Sequence, residues 1–577
     1  MGNQRRARWY RWLALGLGCG LLNGTTFPSW SAERITFSYG PLERSIEIED
    51  LEIYAKEGYL TPELQAYARY FSADDLEQFR SILTEQADIG VQVVDRFLYT
   101  SQGEYLLEIA GDLIQTGARL NGSRALRGSL ILSAADPDEG LTLLNMLKRF
   151  SSPTIRVNIA KGIEIAREVD RAVYQADTVM EIVEEQAMVE STKAAKPDLS
   201  GLLSEALKPG PYSVNDPITL KAQFSQPFDL YIPNLPSQRF ARPAVVISHG
   251  LGGDRTSYAY LARHLTSHGF VVINVEHPGS SAAQVNNLLA GRAADVIPDA
   301  EFIRRPTDIS DILDTLEKRA RTDPKLRGLI DFERVGVLGQ SFGGYTSLAL
   351  AGAPLDFASI VAQCTPKTFS LNLSLLLQCQ ATEIANPNLL TRDLSDDRIK
   401  AAIAISPISS VLFGENSLSQ VDVPMLVMAS SADTVAPALP EQIVPFTWLG
   451  APEKYLVLLR NGTHFSTIGL TATGSETFDL PEPLLGPDIA IAQDYVRALS
   501  LAFFEVHLAD NSNFSALLTS NAAAQLSQSE MPLSLVRELS PLQIELGLET
   551  AADQVEFNDS EMRPDPLAPE PVPAITP

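Results

Sequence analysis

The sequence is short of histidine, cysteine and basic charge. Six histidines and three cysteines are spread over 577 residues, and 45 Lys and Arg stand against 71 Asp and Glu, a formal net charge of −26. That acid excess would repel a phosphate backbone, which excludes nucleic acid as a partner. It serves solubility instead. No run stays apolar for the ~20 residues that a bilayer crossing takes. The sulfur ligands are too few and too unevenly spaced for a structural zinc site. The scarcity of histidine has one benefit: a base for catalysis can be sought by elimination.

What is present begins at the N-terminus. Arg5, Arg6, Arg8 and Arg11 precede the apolar run Trp12–Leu22, and small and polar residues follow as far as Ala32. This is the order of a secretory signal peptide over 1–32, cut after Ser31 or Ala32, and it predicts an exported protein, periplasmic or extracellular. An uncleaved anchor is the alternative. Export leaves two cysteines, Cys364 and Cys379, in a Pro/Ser-rich insertion. In an oxidising compartment they predict a disulfide, with two free thiols as the alternative. Closing a loop of about sixteen residues would stabilise by roughly 3 kcal/mol in the chain-entropy model.

Residues 33–185 read as a mostly helical domain. Thr61-Pro62 and Asp136-Pro137 place a cap before a first-turn proline. Ser72 with Asp75 opens Leu76, Phe79, Ile82 and Leu83 at helical spacing. The stretch holds no histidine and no catalytic constellation. Residues 186–215 lose periodicity and read as a linker. From 216 to 510 short apolar strands alternate with amphipathic helices, which predicts a mostly parallel sheet flanked by helices. The strands are Ala244–Ile247, Phe270–Val275, Val335–Leu338, Ile403–Ile405, Met425–Met428 and Tyr455–Leu459. Residues 511–577 form an extension rich in Pro, Asp and Glu towards its end and predicted to be disordered from about 550.

The chemistry sits in the second region. Gly339-Gln-Ser341-Phe-Gly343 follows a strand and precedes a helix-forming run, the context that a nucleophile elbow requires. Its glycines allow close backbone packing around the sharp turn. A serine needs a base. Four histidines precede Ser341 and His507 lies within a helical pattern; His464 alone is downstream and on a strand-terminal loop. The base needs an acid to fix its tautomer, and Asp433 ends the strand Met425–Met428. The order Ser341, Asp433, His464 is that of α/β hydrolases. Two backbone N–H groups are needed for an oxyanion. Phe342 supplies one; Leu251, in the glycine-rich stretch after Ala244–Ile247, supplies the other. His249 is given a loop-shaping role, for no second histidine sits at ligand spacing.

Four motifs in order, His249–Gly253, Ser267–Phe270, Val275–Gly279 and Gly339–Gly344, resemble the secreted platelet-activating-factor acetylhydrolases and bacterial predicted dienelactone hydrolases. The resemblance covers about 215–510. The helical N-terminal part resembles a domain of unknown function found ahead of such hydrolases in cyanobacteria. The resemblance implies an α/β-hydrolase fold, with Ser341 as nucleophile, His464 as base, and Leu251 with Phe342 as oxyanion donors. Two departures stand out. Gln340 occupies the position of the usual histidine before the nucleophile. The acetylhydrolase position for the acid reads Ile405-Ser-Pro-Ile408, so Asp433 follows the dienelactone-hydrolase arrangement.

The sequence therefore predicts an exported serine esterase, acting on an acyl ester of a lipid or small molecule without metal or organic cofactor, with room for transient membrane contact. An insertion over 353–397 is read as lid-like. Dienelactone-hydrolase-like, peptidase or acyltransferase activity on the same residues is the enzymatic alternative. A non-catalytic hydrolase-like binding module is the alternative of another class.

Overall fold

The computed structural model of the chain describes residues 31–193, 197–222, 226–235, 240–364, 370–384, 386, 389, 391–469 and 482–561. The proposed signal peptide lies outside them up to residue 30, as does the tail beyond Glu561. Two compact units result, one from 31–99 with 103–163 and one from 100–102 with the residues after Ile163.

The first unit was expected to be mostly helical. Helices are there, and the caps read at Thr61 and Ser72 form: Thr61 Oγ1 accepts from Leu64 N, and Ser72 and Asp75 bond reciprocally. The third cap falls elsewhere. Thr142, not Asp136, caps the helix Leu143–Lys148, while Asp136 turns its carboxylate to the N–H groups of Asp138 and Glu139. Alongside the helices stands a sheet that the helical reading missed. Strands β1 (Arg34–Tyr39), β2 (Leu42–Glu47), β3 (Ile114–Thr116) and β4 (Thr154–Asn158) pair in the order β2-β1-β4-β3. Gly40, at φ 57°, makes the tight turn between β1 and β2.

The expected linker is helical over 186–193 and 200–207. Ile159–Lys193 is one helix of 35 residues, followed by Ser200–Leu207. Its last turns have no clean apolar stripe, but Glu, Gln, Ala and Met hold a helix by intrinsic preference. Beyond it, among the described residues, lies a nine-stranded sheet: β5 (Ile218–Lys221), β6 (Pro227–Tyr231), β7 (Arg242–Ser248), β8 (Val271–Val275), β9 (Ile330–Gln340), β10 (Ile399–Ile405), β11 (Met425–Ser430), β12 (Lys454–Leu459) and β13 (Leu533–Val536). The order is β13-β12-β11-β10-β9-β7-β8-β6-β5. Strands β7 to β12 pair in parallel; β5, β6 and β13 join antiparallel at the edges. All six strands read from the apolar runs are present. The edge strands were missed, and β13 lies beyond the boundary drawn at 510. The helix Pro541–Glu561 also runs through residue 550, where disorder was expected, and buries Ala551. No described helix is long and apolar enough to cross a membrane.

Chain order reverses between β7 and β9, so their carboxyl ends bound a crevice, the place where open α/β sheets bind ligands. Backbones meet there without room for side chains. A Cβ on Gly343 would run into Ser248 O, one on Gly339 into Gly343 O, and one on Gly344 would stand 2.9 Å from Pro407 Cα. Gly343→Ala is therefore expected to lose about 3 kcal/mol, read as a shift in the denaturation midpoint; a variant as stable as wild type would mean that the elbow has slack.

Cys364 and Cys379 are joined in a disulfide at a separation of 15 residues. The described part of the insertion is fastened to the body. Ser374 N donates to Val435 O at 2.7 Å, and Asn372 Nδ2 and Gln378 Nε2 donate to the buried Glu441 carboxylate at 2.5 and 2.8 Å. Glu441 also receives the N–H groups of Ser409 and Ser410. Replacing both cysteines by serine is expected to lower stability by up to about 3 kcal/mol. Thermal melting of wild type with and without reductant should give a matching shift; no shift in either would show that the loop is held without the bridge.

Candidate active site

Each candidate residue lies just past the carboxyl end of a strand. Ser341 follows β9 at φ 56° and ψ −117°, a left-handed conformation rare outside glycine. Its N–H donates to Ile405 O at 2.9 Å, which pins the turn to β10. The helix Phe342–Leu350 begins immediately after, so the Phe342 N–H is one of the donors that a helix N-terminus leaves unpaired. Asp433 lies on the loop after β11 and His464 on the loop after β12. All three side chains are buried or nearly so.

The structure brings Asp433 and His464 together, with Nδ1 to Oδ2 at 2.7 Å. Chemistry fixes the proton. Asp433 Oδ1 accepts from the N–H groups of Val435 and Ala436 at 2.9 and 2.7 Å, and Oδ2 also accepts from Gln442 Nε2 at 3.1 Å. A carboxylate surrounded by donors accepts from Nδ1–H as well, leaving the His464 Nε2 lone pair free to take a proton. Gln340 Nε2 donates to His464 O at 3.0 Å, so the residue next to Ser341 holds the histidine loop. Among the described residues no hydrogen bond joins the Ser341 hydroxyl to the His464 ring. Such contacts are often long in unliganded sites and tighten with substrate. On the other side of Ser341 lies the loop with Leu251: a Cβ placed on Gly250 would be 3.3 Å from Ser341 Cβ.

Several contributors were not read from the sequence. Gln442 sits in a single π-turn, Leu439–Ile443, a kind of distortion frequent at functional sites. It clamps Asp433 while its Oε1 accepts from Ser430 N. Nothing in its sequence neighbourhood marks it. Behind the Leu251 loop lies a larger buried set. Arg305, on the helix Glu301–Thr322, is fully buried. It donates to Thr346 Oγ1 at 3.2 Å, Ser280 Oγ at 2.8 Å, Ser248 Oγ at 3.2 Å and His249 O, and its guanidinium lies 4.5 Å from the Phe342 ring centre. Ser280 Oγ passes a hydrogen bond on to Glu301 at 2.6 Å. Pro306 cannot donate to Phe302 O four residues back, and Tyr345 Oη supplies that bond at 2.9 Å. Burial lowers the Arg305 pKa to about 10, with Glu301 and Asp308 opposing the fall, so the group stays charged at neutral pH.

Three family models match the chain. The one described as an alpha/beta hydrolase of unknown function covers residues 31–158, all but 100–102 of them in the first compact unit. The models for platelet-activating factor acetylhydrolase, isoform II, and for the prolyl oligopeptidase family cover 235–306 and 308–444. The fold is that of the α/β hydrolases. Among individual proteins, the platelet-activating factor acetylhydrolase of Cavia porcellus is 22% identical over 301 residues, 47% of this chain and 59% of its own length. That of Canis lupus familiaris is 31% identical over 137 residues, 18% of this chain and 31% of its own length. Cutinase est1 of Thermobifida alba is 24% identical over 231 residues, 39% of this chain and 53% of its own length. The chain thus spans less than two thirds of each of these relatives.

One buried acid gives a pH test of this hydrolase core. Burial, with Glu301 nearby, pushes the Asp308 carboxyl up from its ordinary 3.8 to about 7. Gln226 Nε2 donates to it at 2.6 Å, and His277 Nδ1 stands 3.9 Å away. An acid raised in this way holds its proton more tightly when folded. Its stabilising effect is complete below about pH 4 and is lost as pH rises through about 7. Asp308→Asn removes that dependence. The melting temperature of the variant minus that of wild type should become more positive from about pH 5 to about pH 8; a constant difference would refute the raised pKa.

Proposed function

We propose that the protein is an exported serine hydrolase that cleaves carboxylic esters, with Ser341 as nucleophile, His464 as base and Asp433 as the acid that orients it. The observation that carries the reading is the 2.7 Å pairing of His464 Nδ1 with Asp433, on the loop beside a serine held in a strained strand–helix turn. Ser341 Oγ attacks the acyl carbonyl as His464 Nε2 takes its proton. The N–H groups of Leu251 and Phe342 receive the charge that develops on the carbonyl oxygen. His464 then gives its proton to the departing alcohol, and water activated by the same ring releases the acid. This chemistry calls on no metal or organic cofactor.

The substrate we favour is an acyl ester of a lipid or similarly apolar alcohol. The likeness to the platelet-activating factor acetylhydrolases and to cutinase est1 supports it. So do Leu371 and Leu373 of the disulfide-closed insertion, which are 37% and 44% exposed. The prolyl oligopeptidase match over 308–444 favours a second reading, peptide cleavage by the same residues. Export is supported by the disulfide and by the basic and apolar N-terminal stretch.

A fluorophosphonate probe is expected to label wild type and leave Ser341→Ala unlabelled. Ester hydrolysis should fall by several orders of magnitude in Ser341→Ala, His464→Ala and Asp433→Asn. An active Ser341→Ala would sink the mechanism, and an Asp433→Asn like wild type would move the acid elsewhere. Turnover of peptides or dienelactone with none of short- and medium-chain acyl glycerols or phospholipids would overturn the substrate class alone.

A further inference from the structure

The buried set behind the Leu251 loop contains two histidines that the mechanism above leaves idle. His249 and His277 are 2% and 0% exposed, with ring centres 5.3 Å apart. Their bonds fix one tautomer of His249. Its Nε2 meets the backbone N–H of His277 at 3.0 Å. A backbone N–H only donates, so Nε2 is the acceptor and Nδ1 carries the proton. Nδ1 in turn meets Gly250 O at 2.7 Å and donates to it. The His277 ring is held as well, with Nε2 2.9 Å from Ser248 Oγ. Burial, aided by the Arg305 charge, lowers the His249 pKa to about 3 from its ordinary 6.5, so this ring stays neutral.

Gly250 O belongs to the same peptide plane as Leu251 N–H. In a trans peptide the two point in opposite directions. Whatever holds Gly250 O therefore aims the Leu251 N–H, which among the described residues makes no hydrogen bond of its own. We infer that His249 is a positioning residue for ester hydrolysis: by donating from Nδ1 to Gly250 O, it orients the Gly250–Leu251 peptide so that Leu251 N–H stands ready for the oxyanion. Arg305 supports the arrangement from both sides. It grips His249 O on this loop and Thr346 and the Phe342 ring on the helix that supplies the second N–H. One buried cation thus ties the two donor segments together. A donor aimed in advance stabilises developing charge with no reorganisation during the reaction.

The inference rests on the proposed ester hydrolysis at Ser341. Gly253 N also donates to Gly250 O, at 3.2 Å, and the test separates that turn from the ring. Asparagine can present its Nδ2 where the ring Nδ1 stands, whereas glutamine presents its amide one bond further out. With 4-nitrophenyl butyrate, His249→Ala and His249→Gln are expected to lose about 10- to 100-fold in kcat, with KM within about threefold of wild type. His249→Asn should recover to within about threefold of wild type in kcat. A kcat near the wild-type value in His249→Ala would show that the Gly253 turn suffices and would overturn the inference. So would equal losses in His249→Asn and His249→Gln, a comparison that stands even where the alanine variant does not fold. Fluorophosphonate labelling keeps the two levels apart. Labelling of wild type and not of Ser341→Ala, with normal kcat in the His249 variants, overturns this inference alone. No labelling of wild type removes the hydrolase reading beneath it.

Discussion

The turn after β9 folds back on itself and lies against the end of β7 so closely that Gly339, facing Gly343 O, and Gly343, facing Ser248 O, have no room for a Cβ. This crowding is the constraint on which the rest depends. It lets a parallel strand break sharply into a helix within one residue, and that residue, Ser341, is left with positive φ. Strain of this order, about 1–3 kcal/mol, persists only where the surroundings over-determine it. Here they do: Ser341 N is bonded to β10, Gly344 lies against Pro407, and Gly343 lies against Ser248. The serine and the glycine-rich loop after β7 become neighbours for the same reason.

Around that turn the interior holds several buried charged groups, each with hydrogen-bond partners. Arg305 gives its donors to four oxygens, with Glu301 the nearer carboxylate countering its charge. Glu441 receives donors from the insertion and from the start of the helix Ser410–Leu418. Asp433 has three donors besides His464. A buried ion costs several kcal/mol unless its bonds are complete, so each set has few alternative arrangements. That is a way to hold small loops rigid: the loops at 249–253, 433–436 and 464 carry little apolar side chain of their own, and directional bonds fix them where packing cannot.

Legibility followed the range over which each signal acts. The six inner strands are continuous apolar runs, because parallel strands are covered on both faces, and they were readable one by one. The strand ends that carry Ser341, Asp433 and His464 were readable for the same reason, and the structure pairs the last two. The outer strands β5, β6 and β13 are only four or five residues long, and β6 and β13 pair with β8 and β12, remote in sequence, so no local pattern announced them. The helix through 186–193 was hidden because loss of an apolar stripe looks like loss of structure. Gln442, Glu441 and Arg305 were invisible for a different reason: their roles are made by bonds to residues 9 to 69 positions away. His249 stood in between, marked as a loop-shaping residue without the bond through which it would shape.

Seventy-three residues separate β13 from the end of β12, yet the two strands pair directly. The segment just ahead of β13 also holds the start of the His464 loop: Arg460 N donates to Pro532 O, and Asn461 Nδ2 to Glu530 O, at 2.9 and 3.1 Å. During synthesis, then, the serine turn and the strand carrying Asp433 can be in place while the rim beside His464 still lacks its cover. The last member of the constellation is braced only once residues 530–536 have left the ribosome. A chain still being made would carry a formed sheet with an open edge and an unbraced His464 loop.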